Sequence, residues 1–127
     1  GLGIPAEPLF RSRDIINPGD IDTGMIIRFI ASGNVTNPKV SHGESATFFG
    51  VTTSMQSGDI ITIDTRTGHK AVKRNRGGVI TNLITSRTTG SSWIQCVPGE
   101  NTFSITASSG ATDLLVELEI IGDIEGV

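Results

Sequence analysis

The chain has little of what reactive or disulfide-stapled proteins depend on. It contains one cysteine, one tryptophan and no tyrosine among 127 residues. A single cysteine, Cys96, cannot form an intramolecular disulfide, so we expect a chain made in a reducing cytoplasm or indifferent to redox conditions. Because a cysteine within an apolar segment is usually a small buried hydrophobe, we interpret Cys96 as a core residue rather than a reactive thiol.

Positive charge and long apolar runs are also missing. The formal net charge is −3 and the sequence pI is near 5.2, so no positive field attracts a phosphate backbone. No apolar run approaches the roughly 20 residues of a membrane helix, and the N-terminus lacks the basic-then-apolar layout of a signal peptide. We therefore expect a soluble protein with no nucleic-acid partner and no membrane insertion.

What is abundant favours strands. Sixteen glycines, with many threonines, serines and isoleucines, indicate extended segments separated by tight turns rather than helices. Apolar alternation recurs about every 8 to 12 residues, which is typical of two packed antiparallel sheets. We predict an all-β fold, an antiparallel β-sandwich of jelly-roll or galectin-like type. It occupies residues 13–127 as a single domain, and residues 1–12 form an N-terminal arm or interdomain linker.

The clearest hairpin covers Ser57–Arg74. Ile61 and Ile63 alternate with polar neighbours, a four-residue connection ends at Gly68, and Val72 returns to the apolar side. A second hairpin is predicted over Ser91–Thr106, where the strand SWIQCV stops at a Pro-Gly turn before NTFSIT resumes the alternation. The residues assigned to structural turns are Gly58, Asp59, Gly68, Pro98, Gly99 and Asn101.

Alternation also marks the remaining elements. The other predicted strands are Arg13–Ile16, Met25–Ile30 at the centre of a sheet, Lys39–His42 paired with Ser45–Thr53, and the half-buried Leu114–Ile120. Arg76-Gly77-Gly78 is interpreted as a flexible break, and the pattern of Val79–Thr85 fits either a strand or one helical turn.

No residue pattern predicts catalysis, a cofactor or a metal site. The histidines, His42 and His69, lie at predicted turns without further ligands at metal spacing, so both are interpreted as exposed loop residues. Serine-nucleophile, Walker and zinc-protease motifs are absent from the sequence. Calcium requires about 6 to 8 oxygen ligands, which short loops rarely supply, so four aspartates are assigned to turn capping. These are Asp20, Asp22, Asp59 and Asp64.

Basic residues cluster after the first hairpin turn, at Lys70, Lys73, Arg74 and Arg76. One interpretation is edge-strand protection, in which charges discourage a second molecule from adding a strand. The other is a docking patch for an acidic partner. Both remain open, and the candidate partner-binding residues are Lys73, Arg74 and Arg76 together with Trp93.

Several segments occur in an order that resembles the C-terminal domain of the distal tail protein of long-tailed bacteriophages. They are Gly58–Asp64, the basic strand Lys70–Arg74, Ser92-Trp93 and Val97–Phe103. The resemblance spans Ile15–Val127, and the stretch Arg76-Gly77-Gly78 departs from it.

The resemblance implies a non-enzymatic structural protein of a phage or prophage tail tip or baseplate. Proteins of this family form a hexameric ring through an upstream domain, while a peripheral sandwich faces outward. This chain is similar to that peripheral domain, which would link the tail tube to the tip or receptor-binding proteins after assembly in the bacterial cytoplasm. We expect a monomer or weak oligomer without the upstream domain.

A carbohydrate-binding module is the alternative, because the same sandwich architecture hosts both functions. Such a module would contact host cell-surface glycans through aromatic platforms that are free to stack on a sugar ring. The chain has few aromatic residues to spare for that purpose, which favours assembly over sugar binding.

Overall fold

The computed structural model describes residues 2–6 and 12–120, and antiparallel strands make up most of them. The strands are β1 (Leu2–Ala6), β2 (Ser12–Asn17), β3 (Met25–Ala31), β4 (Val35–Thr36), β5 (Lys39–His42), β6 (Thr47–Gly50), β7 (Ser54–Met55), β8 (Ile60–Asp64), β9 (Ala71–Arg76), β10 (Val79–Asn82), β11 (Gly99–Thr106) and β12 (Leu114–Ile120). Two short 3₁₀ turns lie at Ile84–Ser86 and Ala111–Asp113.

The strands form two main sheets. The larger has six strands in the order β1-β12-β3-β8-β9-β10, and the smaller has four in the order β2-β11-β5-β6. A two-stranded ribbon pairs β4 with β7. The predicted all-β antiparallel sandwich is therefore confirmed, while its jelly-roll or galectin-like subtype stays a prediction.

One apolar core joins the two sheets. Met25, Ile27 and Phe29 of β3 are fully buried, as central placement of that strand predicts. Phe49 and Phe103 of the smaller sheet belong to the same buried cluster. Burying side chains of this size contributes about 1.5 to 3 kcal/mol each, so the core between the sheets is the main source of stability.

The predicted hairpin over Ser57–Arg74 is confirmed. Strands β8 and β9 pair antiparallel, with Ile63 opposite Val72. The buried Thr65 fixes the loop to the central strand through two hydrogen bonds. The Thr65 hydroxyl accepts a hydrogen bond from the backbone N–H of Met25 at 2.9 Å and donates one to the carbonyl of Met25 at 3.2 Å. The loop is thus anchored on the strand that organises the larger sheet.

The other alternating segments also form the expected strands. The predicted strand Arg13–Ile16 lies within β2, and Met25–Ile30 lies within the centrally placed β3. Lys39–His42 pairs with β6 across the predicted turn. The last strand, Leu114–Ile120, buries alternate residues and pairs with β3. Alternation was a sufficient signal wherever one face of a strand packs on the core.

The second predicted hairpin is wrong. Residues 91–95 carry no strand, and Cys96 makes only an isolated bridge to Thr23. Ile94 and Cys96 are buried, so the apolar alternation correctly indicates burial. The backbone of this stretch bonds elsewhere, however, since the N–H of Ser92 donates to the carbonyl of Phe48 on β6 at 2.8 Å. Strand β11 instead pairs with β2 and β5.

Gly77 and Gly78 form a tight hairpin turn rather than a flexible break. Their φ angles are 58° and 89°, values that the turn of a two-residue hairpin requires and that glycine adopts at low cost. The turn joins β9 to β10, with Arg76 opposite Val79. The ambiguous stretch after it is a strand followed by a 3₁₀ turn, so both alternatives apply in succession.

The N-terminal stretch contributes to the larger sheet. Leu2–Ala6 pairs antiparallel with β12, from Leu2 opposite Leu118 to Ala6 opposite Leu114. Part of the predicted arm is thus an edge strand. Gly1 and residues 7–11 of that arm, and residues 121–127 of the predicted domain, lie outside the described residues. The boundary between arm and domain stays a prediction.

Candidate functional site

The basic cluster lies on an inner strand of the larger sheet. Strand β9 carries Lys73, Arg74 and Arg76 and is paired on both sides, with β8 and with β10. Edge protection by β9 itself is therefore the wrong interpretation, because the edge strand here is β10. Of these cations, Arg74 reaches toward that edge through its bond to Thr81 on β10.

Arg76 is committed to an internal ion pair. Its guanidinium donates to both carboxylate oxygens of Asp59, from Nε to Oδ1 at 3.0 Å and from Nη2 to Oδ2 at 2.7 Å. The bonded guanidinium lowers the pKa of the buried Asp59, and the same bond raises the pKa of Arg76. Asp59 also accepts from the backbone N–H of Gln56 at 2.9 Å, so this pair holds the start of β8 to the end of β9.

Lys73 and Arg74 make fewer polar contacts than Arg76. Lys73 is exposed, and Arg74 donates one bond to the hydroxyl of Thr81 on β10 at 3.3 Å. The Nε of Arg74 is buried and has no hydrogen-bond partner among the described residues. A buried donor without a partner loses its hydration without compensation. Among the described residues the guanidinium of Arg74 is bonded to Thr81 alone, so it is less committed than that of Arg76.

Trp93 lies apart from the cations of β9. Its ring packs on buried Phe49 with centroids 5.0 Å apart, and the guanidinium of Arg87 lies 5.0 Å from its centroid. The amine of Lys70 lies 5.9 Å from the same ring. The structure therefore associates Trp93 with Lys70 and Arg87, and it associates Arg74 and Arg76 with Thr81 and Asp59.

The predicted turn residues show two kinds of geometry. Gly58, Gly68 and Gly99 have positive φ angles of 92°, 82° and 89°, which residues with a Cβ adopt at a cost. Asn101 is fully buried after Pro98-Gly99, where its amide group donates to the carbonyls of Val97 and Gly99 at 2.8 and 3.0 Å. Its side chain thus closes the turn that precedes β11.

His42 is buried, so its interpretation as an exposed loop residue is wrong. Its Nε2 lies 2.7 Å from Oδ1 of Asn101, and its Nδ1 lies 2.6 Å from the hydroxyl of Ser45. The signal that would have found it is alternation, because His42 follows the buried Val40 by two positions on β5. His69, in contrast, is exposed in the hairpin loop.

Carboxylates collect near the same end of the smaller sheet. Glu44 accepts from the backbone N–H of Thr102 at 2.7 Å, and this bond lowers its pKa. Glu100 has a raised pKa because it shares a hydrogen bond with Asp14 on the neighbouring strand β2. This end of the smaller sheet is acidic, whereas β9 of the larger sheet carries three basic residues.

Exposed apolar side chains mark the edge strand beside the basic cluster. Val79 and Ile80 of β10 are 66% and 57% exposed. The sequence left this stretch undecided between strand and helix, and so it did not indicate a surface. The usable signal was the Gly77-Gly78 pair between two short alternating segments.

The described residues show no group of three or more histidine, cysteine, aspartate or glutamate side chains arranged to hold a metal ion. Burial, with a smaller effect from Glu44, raises the pKa of the Cys96 thiol to about 12. In the described part of the chain, no helix has the length and apolar content needed to span a bilayer.

The fold and its polar contacts define a small antiparallel sandwich whose buried polar residues are hydrogen-bonded; these are Asn17, His42, Asp59, Thr65 and Asn101. Its exposed features are a strand edge and patches of opposite charge. Residues 18–118 match the family of siphovirus-type tail components, over its C-terminal domain. The chain belongs to this family, which confirms the resemblance noted from the sequence and indicates a structural role in a phage tail together with other tail proteins.

No curated protein and no solved structure matches the chain.

Proposed function

We propose that the chain is the peripheral sandwich domain of a distal tail protein, which links the tail tube to the tip or receptor-binding apparatus of a phage or prophage. The family match over residues 18–118 carries this proposal. The domain acts without catalysis and is assembled into the tail tip in the bacterial cytoplasm. A hexameric ring forms only when an upstream domain is present.

The polar chemistry of the chain supports this function. Its charged and polar groups are used to hold strands together, as in the Arg76–Asp59 ion pair and the His42–Asn101 hydrogen bond. Such groups stabilise a surface for contact rather than prepare a nucleophile or base for reaction. Lys73 and Arg74 of β9 remain as the candidate partner-binding cations, and Trp93 contributes mainly to packing against Phe49.

Immunogold electron microscopy of tailed particles tests the proposal. Antibodies raised against residues 1–127 are expected to label the distal end of the tail, with pre-immune serum as the control. Label distributed along the tail tube or on the capsid would contradict the assignment to the tip.

Glycan binding is a second candidate because one surface depression suits it. An open hollow of about 280 Å³ is bordered by hydroxyl side chains, which can hydrogen-bond to sugars. Its polar lining consists of Asn37, Lys39, Thr52, Thr88, Thr106 and Ser108. A saccharide that binds on a glycan array, and that Thr106→Arg abolishes without unfolding the protein, would support this candidate. A silent array favours assembly.

A further inference from the structure

Strand β10 presents free backbone groups along one side. It is the outermost strand of the larger sheet, and among the described residues only β9 pairs with it. Arg76 and Val79 flank the two-residue turn, and the N–H of Leu83 donates to the carbonyl of Val72 at 2.7 Å. Along an antiparallel pair, hydrogen-bonded and non-hydrogen-bonded positions alternate. The backbone of Thr81 therefore bonds to β9, while the N–H and C=O of Ile80 point away from the sheet.

The same strand exposes apolar side chains on both of its faces. Val79 and Ile80 are consecutive residues of β10, opposite Arg76 and Asn75 of β9. Successive side chains of a strand point to opposite faces, so these two project to opposite sides of the sheet. Both are more than half exposed. An exposed edge with apolar side chains and free backbone groups can template a further strand, and a peptide added to the four residues of β10 would cover Val79 and Ile80 at once.

The charges behind this edge select the strand that would fit. Lys73 is opposite Asn82, and Arg74 is opposite Thr81, so short polar side chains of β10 separate both cations from the open edge. Long basic side chains can extend over such neighbours. Because Nη2 of Arg74 donates to the hydroxyl of Thr81 on the edge strand at 3.3 Å, a carboxylate on the same face of an added strand would approach this guanidinium.

We propose that β10 is a docking edge that accepts an extended acidic and apolar segment of another tail protein as a seventh strand of the larger sheet. Backbone bonds to Ile80 and Asn82 supply the pairing, Val79 and Ile80 supply the apolar contact, and Lys73 with Arg74 select acidic residues. A second copy of this chain fits less well, because pairing β10 with β10 would bring Lys73 and Arg74 of both copies into one sheet.

The inference rests on the proposed function in one respect, namely that the partner is a tail protein. Its test uses the purified protein and a peptide, without virions. The probe is a synthetic peptide in which pairs of glutamates alternate with pairs of valines, so that each face of the added strand carries both residue types; it is added to ¹⁵N-labelled protein of residues 1–127. We expect a dissociation constant below about 1 mM, amide shifts centred on Ile80 and Asn82, and slower hydrogen exchange at both amides. A peptide with lysine in place of glutamate should bind at least about tenfold more weakly.

Two variants test separately whether the peptide pairs with the β10 edge and whether the basic side chains select it. Ile80→Pro removes an outward-facing N–H without removing a bond to β9, so it should abolish binding while circular dichroism shows an unchanged fold. Lys73→Glu should weaken binding about tenfold. Lys70→Glu is the matched control, since it makes the same charge change in the hairpin loop, and it should alter affinity by less than about twofold.

Several outcomes would overturn the inference. They are an absence of binding at millimolar peptide, shifts centred on another strand, equal binding of the acidic and basic peptides, or a dimer in solution that Ile80→Pro dissociates. Immunogold label at the tail tip with no peptide binding would reject the docking edge and leave the proposed function standing. Peptide binding without label at the tip would reject the proposed function and leave the docking edge standing.

Discussion

Asp59 is a buried carboxylate whose charge stabilises the fold through Arg76. The hydrogen bonds from that guanidinium hold the pKa of Asp59 below its ordinary value of 3.8. A carboxyl with a lowered folded-state pKa contributes stability above the unfolded pKa and loses it as the pH falls through the folded value. We predict that Asp59→Asn lowers the free energy of unfolding by roughly 2 kcal/mol at pH 7, and that this difference shrinks below pH 3.8.

Urea unfolding of both proteins between pH 7 and the acid range measures the difference. The exposed Asp22 provides the matched control, and Asp22→Asn should change stability by less than about 0.5 kcal/mol at every pH. If the deficit of Asp59→Asn stayed constant through the acid range, its cause would be packing rather than charge.

Residue types with two plausible roles were the hardest to assign from the sequence. Asp64 was expected to cap a turn, and its Oδ1 accepts from the backbone N–H of Arg66 at 3.0 Å, as local spacing predicts. His42 was misassigned because its partner Asn101 is far away in the sequence and becomes adjacent only when β5 and β11 pair. Spacing identifies contacts within a turn, and it cannot identify contacts that the sheet topology creates.

At the scale of the element, the connection from β11 to β12 depends on Gly110. This residue has a φ of 75°, and a Cβ added there would collide with the backbone carbonyl of Asn34. Gly58 has a φ of 92° but nothing within 4 Å of that position. We predict that Gly110→Ala costs at least about 3 kcal/mol, since it combines backbone strain with overpacking, and that Gly58→Ala costs only about 1 kcal/mol.

Chemical denaturation of the two variants in parallel measures this contrast, because both carry the same substitution at a positive φ. A similar loss for both would mean that the segment around Asn34 moves aside and that the connection is not fixed there.

Strands were predictable where one face packs on the core, and less so where backbone pairing alone decides the structure. Alternation located β8 and β12 because each buries every second side chain, and the central β3 was located because it is apolar on both faces. It misassigned residues 91–97, whose apolar side chains are buried but whose backbone bonds to β6 and Thr23. It left β10 undecided, since a mostly exposed edge strand has no buried face to generate a pattern.

At the scale of the whole molecule, the prediction concerns mass in solution. Stable protein interfaces bury about 1,600 Å² with an apolar centre. The large apolar side chains exposed by the described residues are few, and they divide between two places: Ile16 and Ile21 lie on and just after β2, and Val79 and Ile80 lie on β10. The two strands belong to different sheets, so neither pair alone makes an interface of that size.

We therefore expect residues 1–127 to be a monomer or a weak oligomer, with a mass near 13.4 kDa by size-exclusion chromatography and light scattering. The same measurement on a version that includes an upstream ring-forming domain should give a hexamer. Because the sandwich would then add only peripheral contacts, Ile80→Pro should leave that hexamer intact. A stable hexamer of residues 1–127 alone would contradict this and would assign ring formation to the sandwich itself.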